Sequence, residues 1–236
     1  MRERISEPLP GEVRLQWWRD VVEGTREPGG HPVAACIREV ILRHDLPVGS
    51  LHELIDARTF DLYDDPMPTL DALCAYARKT SSALIALAMR ILGMPGPDDL
   101  GASDQAGIAY AITGLLRAFP LHAARGQVFV PGEVLDRHGV RREEVLAGAA
   151  SPGLIAALGD MRRLARRALD DLRERHSVLP RPLVPAVLPV ALTDLYLERM
   201  ERRDYAPLAT PVVVPQWRRQ WALWRAARAL GRISSR

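Results

Sequence analysis

The chain is predicted to be all-α, and three observations point that way. Apolar residues recur at three- and four-residue steps through most of its 236 residues, which gathers them on single helical faces. Prolines and glycines fall mainly between those stretches, where they start and stop helices. No two runs alternate apolar and polar residues in the way a sheet requires. The sequence also lacks a repeat period, a glycine-rich phosphate loop and a low-complexity segment. The expected architecture is one domain over residues 1–236, a bundle of about eight or nine helices.

A first helix is predicted over residues 11–23, entered after Pro8 and Pro10 and closed at Gly24. Trp17 and Trp18 are adjacent, so at most one can point straight into a core. Pro32 opens a second helix, which runs to about His44 and has Val33, Ile37, Val40 and Ile41 on its inner face. Ser50 is placed as the cap of a third helix, with Glu53 completing a capping box. That helix carries Asp56 and Asp61. Thr69 caps the fourth, whose stripe is Leu70, Leu73, Ala77, Thr80, Leu84, Leu87 and Ile91.

The fifth helix belongs to the stretch on which the functional reading turns, GIAYAITGLLRAFPLHAARGQVFVP at 107–131. It begins as an apolar helix with Ile108, Ile112, Leu115 and Phe119 inward. Pro120 bends or ends it. There is no Asp or Glu between Asp104 and Glu133. Short helices follow at about 133–137 and 140–147. A long helix over 154–176 has the stripe Leu154, Leu158, Met161, Ala165, Ala168, Leu172. Its other face offers i,i+4 pairs such as Arg166 with Asp170 and Arg167 with Asp171. Residues 181–203 read as helix interrupted by Pro185 and Pro189. A last helix over 216–230 carries Trp217, Trp221 and Trp224.

With 47% hydrophobic and 26% charged residues, the composition is that of an ordinary globular protein with a sizeable core. Cys36 and Cys74 lack CxxC spacing and read as buried free thiols in a reducing compartment. The net charge of +3 is uneven, because six arginines and no acids follow Asp204. This makes 205–236 a basic, Trp/Arg-rich C-terminal segment. Lys79 is the only lysine, so the arginine excess reads as codon composition and no nucleic-acid partner is expected. No secretory signal is visible, and no uncharged apolar run reaches the roughly 18 residues of a membrane span.

The acidic pairs Asp64-Asp65, Asp98-Asp99 and Asp170-Asp171 read as turn, cap and surface residues. No pair among the six histidines has metalloprotease spacing, and no metal site is nominated. Asp56 and Asp61 stand about 140° apart on a helix, so they do not share a ligand face. Arg117 sits in an apolar helix, where an arginine needs an acidic partner such as Asp56 or Asp61, or an anionic ligand. Arg125 precedes Gly126 at a turn whose N–H groups could also face an anion, and Gln127 follows. For the C-terminal helix two readings stand open: a packed helix with a solvated arginine face, or attachment to an anionic membrane surface.

These residues resemble the squalene/phytoene synthase family, with its all-α isoprenoid synthase fold. The likeness covers nearly the whole chain. It rests on SEPLPGEVRLQWWRDVV, LHELIDARTFDLYDD, TLDALCAYARKTSSAL and AGIAYAITGLLRAFPLHAARGQVFVPGEVLDRHGV. The family's second motif looks like Q-x-T-N-x-x-R-D-x-x-E-D followed by a Gly-Arg and a Tyr-Leu-Pro. In this chain Thr113, Arg117, Gly126 and Pro131 are kept. The motif's Gln falls on Ala111, its Asn on Gly114, and its three carboxylates on Ala118, Leu121 and His122. On this resemblance the first acidic motif falls at the start of the chain, where Glu3 and Glu7 remain, and the family's first helix is expected to be lacking before it.

The resemblance implies a fold in which two acidic clusters hold Mg2+ on a substrate diphosphate. The carboxylate losses therefore imply a protein without that catalysis and without an expected cofactor. The likeness is nearest to a degenerate branch similar to the mitochondrial complex I assembly factor with a squalene/phytoene synthase domain. It implies a role in complex I assembly or lipid binding, peripheral on the inner membrane or cytoplasmic, and not secreted. Possible partners are respiratory complex subunits, a prenyl chain or lipid, and a membrane surface met by the C-terminal helix. The alternative is an active head-to-head prenyltransferase that uses Mg2+ with relocated ligands, such as Glu7, Asp56 or Asp61.

Overall fold

The structure, a computed structural model, describes residues 8–63, 65–94, 101–176, 179–209 and 212–233. Its regular elements are all helical among these residues. The chain divides into two compact units, Met1–Asp65 and Pro66–Arg236.

In the first unit α1 (Pro8–Glu23), α2 (Pro32–His44) and α3 (Val48–Ala57) are followed by a 3₁₀ turn, Arg58–Leu62. The α1 helix starts earlier than expected because prolines in a first turn forfeit no hydrogen bond. Gly11 of α1 lies against the side chain of buried Leu62, where a Cβ would collide. Trp17 and Trp18 are both half-buried, with ring centres 4.9 Å apart. In α2 the buried face is Ala34 and Ile41, while Val33 is exposed. The expected Ser50–Glu53 box does not form. The α3 helix begins three residues earlier, with Pro47 at its N-cap and no side-chain cap.

The second unit opens on α4 (Leu70–Ala77), whose N-terminus has two side-chain acceptors. Thr69 Oγ1 accepts from the Ala72 N–H at 3.1 Å, and Glu133 Oε1 accepts from the Leu70 N–H at 2.8 Å. A π-turn, Arg78–Ser82, joins α4 to α5 (Ala83–Ile91). The extra residue of a π-turn rotates everything beyond it. Leu73, Ala77, Thr80 and Leu87 of the expected stripe are buried, but Leu84 and Ile91 are exposed, and Ser82 and Met89 face inward instead.

That turn packs on α6 (Ala102–Arg117). A Cβ on Gly107 would fall on the backbone and hydroxyl of Ser82, and Ser82 Oγ donates to the Asp104 carbonyl at 3.1 Å. Beyond α6 come α7 (Phe119–Ala123), α8 (Gly132–Arg137) and α9 (Arg142–Leu146). Residues 128–130 are buried but form no strand. The long α10 (Pro152–His176) makes the most extensive helix pair of the fold with α6, and all six residues of its expected stripe are buried.

The remaining elements are a 3₁₀ turn at Arg181–Leu183, α11 (Val184–Val187), a second 3₁₀ turn at Leu188–Leu192, α12 (Thr193–Met200) and α13 (Gln216–Ile233). The ion pairs expected within α10 are largely replaced by pairs to α12 and just beyond it. Arg166 reaches Asp194 at 2.7 Å and Glu201 at 2.9 Å, while Asp170 pairs with Arg173 at 2.7 Å.

Candidate functional site

The C-terminal half of α6 and the turn after α7 bring the motif residues together. Pro120 lies in the first turn of α7, so α6 ends at Arg117 with Ala118 as its C-cap. Arg117 is therefore terminal and exposed, not buried in mid-helix. Its guanidinium carbon lies 4.7 Å from the centre of the Tyr196 ring, a cation–π contact from α6 to α12. The carboxylates considered for it have arginines of their own. Asp56 pairs with Arg19, and Asp61 pairs with Arg58 at 3.0 Å.

The turn at 124–127 does not aim its N–H groups outward. Those of Arg125 and Gln127 both donate to the His122 carbonyl at 2.9 Å, and that of Gly126 donates to the Ala123 carbonyl at 3.0 Å. Gly126 has φ 79°, the left-handed conformation glycine adopts without strain. Its carbonyl accepts from Arg142 Nη2 at 2.9 Å, which ties the turn to α9. The Arg125 side chain is exposed and Gln127 is buried.

The positions of the missing carboxylates offer no hard oxygen ligand. Ala118 caps the helix and Leu121 is exposed. His122 packs its ring against Phe129, centres 4.9 Å apart. Mg2+ takes oxygen ligands in octahedral geometry, and this donor set does not fit it. Among the described residues no three His, Cys, Asp or Glu side chains converge as a metal site. Glu3, Glu7, Asp64, Asp98 and Asp99 lie outside the described residues. Behind the motif, the space bounded by Ile112, Phe119, His122, Phe129 and Met161 measures about 10 Å³. That is roughly the room one water needs, far below the ~300 Å³ of a small ligand pocket.

Two further features were not placed by the sequence. Asp160 of α10 meets His138 Nε2 at 3.1 Å and Arg137 at 3.5 Å, and also pairs with Arg163. Burial works against its charge, but the His138 hydrogen bond and the two arginines outweigh it and hold the carboxyl below its ordinary range. The tryptophans of α13 are on the surface: Trp217 is 68% exposed, Trp221 55% and Trp224 46%. The packed reading of this helix therefore fails for its tryptophans. Trp221 and Trp224 stack with centres 4.7 Å apart, and Arg228 lies over Trp224. No helix of the described residues is long and apolar enough to cross a membrane. Neither cysteine is buried as expected: Cys36 is exposed and Cys74 half-buried.

The all-helical fold is that of the isoprenoid synthase class. The squalene/phytoene synthase family model matches residues 2–225, and the chain belongs to that family. It is 31% identical to rat NADH dehydrogenase (ubiquinone) complex I assembly factor 6 over 87% of this chain. Against the human protein the identity is 29%. The chain spans 62% of the length of both relatives. It is 28% identical to presqualene diphosphate synthase of Rhodopseudomonas palustris, over 85% of this chain and 72% of that protein. The fold resembles squalene synthase HpnC of Alicyclobacillus acidocaldarius, with TM-score 0.71, 21% identity, and coverage of 83% of this chain and 74% of that one. It also resembles a dehydrosqualene synthase, with TM-score 0.74, 16% identity, and coverage of 92% and 76%.

Proposed function

We propose that this chain is a non-catalytic member of the squalene/phytoene synthase family that serves respiratory complex I assembly from a membrane surface. The observation that carries the reading is the chemistry at Ala118, Leu121 and His122, where a diphosphate–Mg2+ site would need carboxylates. The water-sized space behind them and the inward-bonded turn at 124–127 support it. So does the similarity to proteins named for complex I assembly. The exposed tryptophans and arginines of α13 suit a helix lying in a bilayer interface. Arg117 then serves the contact of α6 with α12, and the backbones of Arg125 and Gln127 close the turn, with no diphosphate to hold.

The test has two arms. Deleting the gene in its own cell lowers the amount of assembled complex I and leaves other respiratory complexes unchanged. Normal complex I levels would sink the reading. In the second arm, purified protein given farnesyl or geranylgeranyl diphosphate with Mg2+ releases no diphosphate beside an active synthase. Mg2+-dependent release that Asp61→Asn abolishes would restore the catalytic alternative.

A further inference from the structure

Beneath α13 runs a groove of about 790 Å³, within the ~300–1,000 Å³ range of ligand pockets. Its floor is apolar: Leu169 and Leu172 of α10, Val187 of α11, Val190 of the second 3₁₀ turn and Leu195 of α12. On the α13 side the groove is lined by the small side chains of Ala222, Ala226 and Ala229. A helix sealed onto a core would carry larger side chains there. Trp217 and Trp221 bound both this groove and the exposed outer face of α13 that they share with Trp224.

Charges of both signs line the groove, and Arg173 of α10 is among them. Arg218 and Arg225 line the α13 side, and α13 contains no Asp or Glu. On the opposite wall Asp194 is already taken by Arg166 and Arg173. Glu198 is the other lining carboxylate and is exposed.

We infer that this groove holds the acyl chain of an anionic membrane lipid, with the lipid phosphate between Arg218 and Arg225. An apolar channel with a cationic rim is complementary to a single chain under a phosphate. The rim tryptophans give the chain a continuous apolar path from a bilayer into the groove. The inference rests on the membrane reading of α13 only for the source of the lipid.

The full chain is tested with 1-oleoyl lysophosphatidylglycerol and the matching lysophosphatidylcholine, both below their micelle concentrations. Native mass spectrometry reads stoichiometry, and quenching of tryptophan by a brominated chain reads affinity. A one-to-one complex is expected, with the anionic lipid bound about tenfold tighter. The double variant Arg218→Gln/Arg225→Gln removes that preference. Ala222→Leu/Ala226→Leu fills the groove and abolishes binding of both lipids while the circular dichroism and melting transition remain those of a folded protein. If that variant does not fold, Ala191→Leu on the opposite wall takes its place.

Equal affinity for the two lipids overturns the inference, as does binding that groove-filling leaves unchanged, or a dimer through this face with no lipid bound. Trp224→Ser separates this result from the membrane reading: it lowers sedimentation with phosphatidylglycerol vesicles and leaves monomeric lipid binding intact. Lipid in the groove without any vesicle binding supports the groove and overturns membrane attachment.

Discussion

Arg117 closes α6 with its guanidinium 4.7 Å from the centre of the Tyr196 ring. The arginine that the family motif keeps is placed here by an aromatic ring on α12. Arg117→Ala should lower stability by about 0.5–1 kcal/mol, the size of an exposed cation–π contact. Tyr196→Leu costs more, because that ring is also buried. In urea denaturation the double variant falls short of the sum of the two singles. Strict additivity would mean that the contact carries no energy.

The approach of the π-turn to α6 predicts a sharper loss. Gly107→Ala places a methyl on the Cα, backbone N and hydroxyl of Ser82. The cost should be about 2–3 kcal/mol, as for overpacking in a closed interior. Adding Ser82→Gly does not restore stability, since the collision is with backbone. A full rescue in thermal melts would count against that packing.

Asp160 makes stability depend on acid. Its carboxyl titrates below the ordinary value in the folded chain, so its contribution is present above the unfolded value of about 3.9. It is lost as pH falls through the lower folded value. His138→Ala should cost about 1–3 kcal/mol near neutrality and should lessen the loss of stability in acid. Denaturant midpoints measured between pH 3 and 7 give the comparison. An unchanged pH profile would remove this role.

Glu133 supplies an end-cap to a helix distant in sequence. Glu133→Ala leaves the Leu70 N–H without its acceptor and should cost about 1 kcal/mol. Thr69→Ala removes the local acceptor of the Ala72 N–H for a similar cost. Hydrogen exchange of α4 should rise in both variants, with α10 unaffected.

The long regular helices were legible because burial imposed their period: α10 kept its whole stripe, and α2 its bounds. Beyond Thr80 the stripe through α4 and α5 kept only Leu87 and lost Leu84 and Ile91 to the surface, because nothing in the local pattern announces a π-turn. The Ser50–Glu53 signature was present without forming, since the chain reached helical geometry at Val48. At the motif, the sequence revealed which ligand chemistry was missing, but it did not place Arg117 at a helix end or turn the 124–127 N–H groups inward. Both depend on where Pro120 ended α6. Trp217, Trp221 and Trp224 left two readings open because their spacing is the same whether a helix faces a core or a membrane.

The π-turn at Arg78–Ser82 also bears on how this rod tolerates changes in length. Along an ordinary helix, removing one residue throws every later side chain out of phase. Here the phase is already displaced, with Leu84 and Ile91 outside and Met89 inside. Loss of one residue within the turn would return the downstream half to a regular winding, expose Met89 and break the seat that Gly107 provides for Ser82. The turn is thus a one-residue insertion that the neighbouring helix has been shaped to receive, and neither can be shortened or filled without the other.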